Sequence, residues 1–145
     1  MGYCVDWDVN IKIPKKNINE ALAAINVLML PENVARNGRG GSWSGGKKNE
    51  SWYSWVDTPP DNKYDNISYA FEGWGFNGLY DKEGNYVIDS CNNEKLGQEE
   101  LLLNAIAPFV DLSSYVACHG EDDAHWRWVF NNGKMVEQRG TITYK

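Results

Sequence analysis

The stretch Tyr115-Val-Ala-Cys-His-Gly120, Glu121-Asp-Asp-Ala-His-Trp-Arg-Trp-Val-Phe130, Asn131-Asn-Gly-Lys-Met-Val-Glu-Gln-Arg-Gly-Thr-Ile-Thr-Tyr144 decides the fold. It reads as three short strands joined by two tight turns, an antiparallel meander. Trp126, Trp128 and Phe130 fall on one face, His125, Arg127 and Val129 on the other, because side chains alternate along a strand. Asn131-Asn-Gly133 supplies the Asn-Gly turn that most strongly marks a short hairpin. Val136, Ile142 and Tyr144 continue the last pair.

The partner for this meander lies at the other end of the chain. Tyr3, Val5, Trp7, Val9, Ile11 and Ile13 alternate with Cys4, Asp6, Asp8, Asn10 and Lys12. Strict period-two alternation describes a half-buried strand of an antiparallel sheet with one face in water. Pro14 ends it. Asn17-Ile-Asn-Glu20 then marks a helix start. Ile18, Ala21, Leu22, Ile25, Leu28 and Met29 form one apolar helical stripe, closed by Pro31 and directed at the odd-numbered face of the first strand.

Between residues 33 and 60 the periodicity vanishes, and a long Gly- and Trp-rich loop is expected. Ile67, Ala70, Phe71 and Trp74 resume helical spacing, with Asp65 as a cap and Gly73 or Gly75 as a stop. Leu79 to Ile88 reads as a hairpin turning near Glu83-Gly84. Glu99 and Glu100 open a further helix, where negative charge suits the macrodipole, and Pro108 kinks or ends it. The order β-α-loop-α-β-β-α-β-β-β predicts a single α+β domain over 1–145, a two-layer fold with helices packed on one face of an antiparallel sheet.

The chain has 145 residues, seven Trp, eight Tyr and a net charge of −6. That length supports a real core without staples. The acidic balance opposes general nucleic-acid binding, which needs a basic face, and suits a basic protein surface. No apolar run reaches the ~18 residues of a membrane span, and the start lacks a signal pattern. Cys4, Cys91 and Cys118 are odd in number and widely spaced, with neither zinc spacing nor disulfide density, so a reducing cytoplasm is expected.

Within this acidic chain one segment is basic. Residues 36–55 hold Arg36, Arg39, Lys47 and Lys48 against Glu50, a local +3 that leaves −9 for the remainder. Trp43, Trp52, Tyr53 and Trp55 add stacking faces, and the glycines permit close backbone approach. These residues are the candidate partner-binding set, for an acidic protein patch or a phosphate-bearing ligand. The glycines match neither the P-loop nor the dinucleotide fingerprint.

A polar sheet face of Asp6, Asp8, His125, Arg127 and Arg139 is the second candidate surface, with the two aspartates expected to pair with Arg127 or Arg139 across it. As an alternative, Asp6, Asp8, Asp122, Asp123 and His125 would form a small-molecule site for a nucleotide or phosphate, or a metal-dependent hydrolytic site. No His-Glu-x-x-His, His-x-Glu or Cys-x-x-Cys pattern supports it, so no metal site, cofactor or catalytic residue is assigned. Cys118 and His119 are neighbours along a strand and point to opposite faces, which misplaces them for thiolate activation.

The run Trp126-Arg-Trp-Val-Phe130 with Asn-Gly-Lys-Met135, preceded by Gly120-Glu-Asp-Asp123, resembles small uncharacterised proteins of bacteriophages and other bacterial mobile elements. The likeness extends loosely to Gly97-Gln-Glu-Glu-Leu-Leu-Leu103 and Ala107-Pro-Phe-Val110, and it covers the C-terminal third. It implies a compact accessory protein, a binder or inhibitor of host or defence machinery of the anti-CRISPR type. The expected function is therefore non-enzymatic binding of a protein partner through the 36–55 segment and the polar sheet face. Two alternatives stand beside it: the small-molecule or hydrolytic site, and a self-associating structural subunit joined through exposed strand edges.

Overall fold

The computed structural model describes residues 2–140. The first strand, β1 (Val5–Ile13), runs through the middle of a six-stranded sheet, and the rest of the chain is laid down on either side of it. On one side it pairs with β5 (Tyr86–Cys91), which pairs in turn with β4 (Phe76–Tyr80). On the other side comes the meander β6 (Tyr115–Gly120), β7 (His125–Asn131) and β8 (Lys134–Arg139). Every neighbouring pair is antiparallel, and the order is β4-β5-β1-β6-β7-β8.

Alternation in β1 is realised as read. Val5, Val9, Ile11 and Ile13 are buried, and Asp6, Asp8 and Asn10 are exposed. In β7 the buried residues are Trp126, Trp128 and Phe130. Asn132 and Gly133 both take positive φ (52° and 73°), the conformation that a two-residue turn between twisted strands requires. Ile142 and Tyr144, expected to extend this pair, lie outside the described residues.

Helices α1 (Ile18–Leu28), α3 (Ile67–Gly73) and α4 (Glu99–Ile106) cover the apolar face, and Ile25, Phe71, Leu102 and Leu103 share one buried cluster with the odd residues of β1. The fold is α+β, with helices and an antiparallel sheet sharing one core. Asn17 occupies the N-cap of α1, yet its side chain donates to the Phe109 carbonyl instead of capping. Asn66, not Asp65, caps α3, its side chain accepting from the Tyr69 amide at 2.8 Å. Pro108 ends α4, and the chain continues as a short 3-10 turn over Ala107–Phe109.

The expected loop at 33–60 is the main correction. Pro31 closes α1 and also opens α2 (Pro31–Asn37), because a residue without an amide proton costs nothing at a first helical position. A separate two-stranded ribbon follows, β2 (Gly40–Ser44) and β3 (Lys47–Trp52), turned by Gly45-Gly46 at φ 58° and 78°. Alternating hydrophobicity is missing because this ribbon lies outside the six-stranded sheet and has no core face to bury. The glycine pair flanked by Ser44 and Lys47 was the available signal.

Gly75, just past α3, carries φ 90°, and a Cβ there would lie 2.0 Å from the Asn93 Oδ1 atom. Asn93 donates to the Trp74 carbonyl and its own carbonyl accepts from the Trp7 indole, so a methyl group would disturb the closure of the sheet. Gly75→Ala is expected to lower the unfolding free energy by about 1–2 kcal/mol. Chemical denaturation checks this, and an unchanged midpoint would show that the Asn93 contact gives way freely.

Candidate functional site

Three pieces of chain meet beside the N-terminal half of β1. β1 and β5 pair only from Ile11 to Ile13, opposite Ile88 to Tyr86. Beyond Ile88 the two strands separate, and the returning segment bridges the gap lower down. There Cys4 pairs with Lys95, the Val5 amide donates to the Glu94 carbonyl at 3.0 Å, and the Leu96 amide to the Tyr3 carbonyl at 2.7 Å. The Trp7 indole closes the seam by donating to the Asn93 carbonyl at 2.7 Å.

The ribbon is fastened next to this split by one side chain. Gln98, 6% exposed, accepts from the Arg39 amide at 2.9 Å and the Ser54 amide at 3.0 Å, and donates to the Asn37 carbonyl at 2.7 Å. One amide group thus holds both ends of the ribbon against the start of α4. Beside it Glu99, 2% exposed, accepts twice from the Gly97 amide. Its burial outweighs those bonds and pushes the carboxyl up to about 7. Sequence reading placed Glu99 in a helix first turn, where a solvated anion is usual; only the packing above it makes it a buried acid.

The residues expected in the partner-binding set divide accordingly. Trp43 is 65% exposed on β2, opposite Lys48, and a Cβ at either turn glycine would meet nothing within 4 Å. Arg36, Arg39 and Lys47 are also in contact with solvent; Arg36 donates to the Asn33 side chain and Lys48 to the Gly38 carbonyl. Trp52 and Trp55 are exposed at the ribbon root. Tyr53 is a correction: it is buried against Trp74, ring centroids 5.2 Å apart, and donates to the Leu28 carbonyl at 2.7 Å. It follows the last residue of β3, where the chain leaves the ribbon, and turns inward between two outward tryptophans. Gly40 serves the ribbon's own packing, since a Cβ there would strike the Trp52 ring at 2.5 Å.

On the open sheet face the rows follow the register. Asp6 faces His119, which faces His125; Asp8 faces Ala117, then Arg127, then Gln138. His119 and His125 stack at 4.2 Å, and His119 Nε2 lies 3.0 Å from Asp123 Oδ1. The expected pairing of Asp6 and Asp8 with arginine does not form. β6 lies between β1 and β7, which sets those side chains two strand spacings, about 10 Å, apart. Arg127 instead donates to Gln138 at 2.6 Å.

Arg139 is also corrected. It pairs with Trp126 in register, so it lies on the helix-covered side of the sheet, its guanidinium 5.2 Å from the Trp126 ring centroid. Glu137 lies on that side too and accepts from the Trp128 indole and from Arg139.

The alternative hydrolytic set is not assembled. Asp122 is engaged by the Tyr3 hydroxyl, which holds its carboxyl below the usual range, and Asp123 by His119. Asp8 sits a row away, and among the described residues no group of three or more His, Cys, Asp and Glu is placed to hold a metal ion. Cys118 is buried behind exposed His119, and desolvation raises its thiol far from reactivity. Cys91 is pushed up to about 12 by the same cause.

Two adjoining cavities mark the split. One of about 560 Å³ is lined by Trp52, Trp55, Asp57, Glu94 and Lys95. The other, about 570 Å³, is lined by Cys4, Asp6, His119 and Glu121 among others, and the two share Asn92, Asn93 and Glu94. No helix among the described residues is long and apolar enough to cross a membrane. No protein-family model, curated protein or solved structure matches this chain.

Proposed function

We propose that this chain is a non-enzymatic binding protein that holds a protein partner through the 36–55 ribbon, with the open face of Asp6, Asp8, His125 and Arg127 as a flanking contact. The observation that carries this reading is Trp43: a large aromatic, 65% exposed, on a ribbon whose tip touches nothing else. An indole left in water at that position contributes nothing to the core, whereas aromatic residues dominate the energetics of protein interfaces. Lys47 beside it, with Arg36 and Arg39 nearer the root, gives the ribbon a charge opposite to that of the rest of the chain. The resemblance to phage accessory proteins makes the natural partner a component of host or defence machinery.

A photo-crosslinking residue placed at position 43 is expected to give a discrete adduct in native cells, and one at Leu112, 71% exposed beyond the other end of β1, is not. Trp43→Ala is expected to weaken the captured complex about 30-fold, the equivalent of ~2 kcal/mol for an aromatic anchor, with no change in melting temperature. Adducts of equal yield at both positions, or none at 43, would remove the ribbon from the interface.

A further inference from the structure

Trp55 is held at φ 64°, a left-handed backbone that a bulky side chain adopts only at a cost, and yet its ring is 59% exposed. Its neighbours impose the pose. Gln98 fixes the Ser54 amide, and a Cβ at Gly97 would lie 2.6 Å from the Ser54 carbonyl and 3.0 Å from the Trp55 ring. An aromatic fixed in place and left in water is preorganised for a ligand, because its ordering cost is met before binding. Trp52, 37% exposed, lines the same cavity.

All but one of the charges along this trough are negative. Asp57 and Glu94 line the cavity beneath the tryptophans, and Glu94, Asp6 and Glu121 line the adjoining one. All four carboxylates are exposed, and among the described residues none is in an ion pair. Lys95 is the single cation on the lining, and its ammonium donates to Cys4 Sγ at 3.0 Å. The trough therefore offers two indole faces at one end and a succession of carboxylates leading away from them.

We propose that this trough seats an arginine-rich extended segment of the protein partner, guanidinium groups lying on Trp52 and Trp55 and pairing with Asp57, Glu94, Asp6 and Glu121. Arginine fits better than lysine, since its planar cation stacks on an indole and engages a carboxylate through two parallel N–H bonds. The inference deepens the binding function proposed above and rests on it for the protein nature of the partner. It concerns a different surface from the Trp43 tip.

The test is fluorescence anisotropy with labelled octa-arginine, octa-lysine and octa-glutamate peptides, titrated with the full chain at 0.15 M salt. Octa-arginine is expected to bind at least threefold more tightly than octa-lysine, and octa-glutamate not at all. Trp55→Gly, whose backbone suits the left-handed position, and Asp57→Asn with Glu94→Gln are each expected to weaken octa-arginine binding at least tenfold. Glu20→Gln with Glu32→Gln removes the same charge from α1 and α2 and is expected to change nothing.

If the Glu20/Glu32 pair weakens binding as much as the Asp57/Glu94 pair, the interaction is bulk charge and the trough is not a site. Octa-arginine that fails to bind, or binding indifferent to Trp55→Gly, also overturns it. A retained Trp43 adduct with no peptide binding would sink the trough alone, and peptide binding without the adduct would sink only the ribbon.

Discussion

Gln98→Ala is expected to lower the unfolding free energy by about 3 kcal/mol and to release the ribbon from the domain. The truncation leaves the amides of Arg39 and Ser54 and the carbonyl of Asn37 without their partner, in a place where Gln98 itself is 6% exposed. Each buried polar group left unpaired costs about 1 kcal/mol or more. Gln98→Glu is expected to do no better, because it removes the donor to Asn37 and adds a charge. Urea unfolding measures the loss, and hydrogen exchange localises it: the Arg39 and Ser54 amides should lose protection first, while β1 amides keep theirs. A loss below 1 kcal/mol with both amides still protected would mean that β2 and β3 hold themselves in place without the clamp.

The second large effect is pH-dependent. Glu99 begins α4, where the helix dipole and the Gly97 amide both favour an anion, yet desolvation prevails and raises the carboxyl from 4.5 to about 7. The folded state thus binds a proton more tightly than the unfolded chain. Stability from this group is full below about 4.5 and is lost as pH rises through 7. Between pH 5 and 8 the chain is expected to lose about 2.5 kcal/mol through this one group. Glu99→Gln keeps an oxygen for the Gly97 amide and cannot ionise, so the difference between variant and parent isolates Glu99 from every other titrating residue. Parallel stability–pH curves for the two would show that Glu99 does not titrate in this window.

Both effects arise from neighbours that the sequence presents as ordinary. Gln98-Glu99-Glu100 is legible as a polar helix start and nothing more, because pattern reading assigns a residue to a face without saying what covers it. The ribbon is illegible in the sequence for a related reason. Periodicity reports a face buried against a core, and β2 and β3 have none, so Gly45-Gly46 was the whole of the available signal. Arg139 lies on the face opposite to the expected one because the alternation of β7 continues through the Asn132-Gly133 turn into β8. Tyr53 resembles Trp52 and Trp55 in composition, and only its packing on Trp74 separates it from them.

What the sequence determined by itself was the sheet and its helical cover. Alternation in Val5–Ile13 and His125–Asn131, the 3.6-residue stripe of α1 and the turns at Gly84 and Gly133 are local consequences of backbone geometry and water exclusion, and they need no knowledge of distant contacts. Only the tertiary structure decided the rest. The separation of β1 from β5 beyond Ile11, the return of Asn92–Leu96 to Cys4, and the fastening of both ribbon ends by Gln98 bring together residues more than ninety positions apart, as Tyr3 and Leu96 are. Such juxtapositions are set by how the packed layers close on one another, and no short window of sequence carries that information.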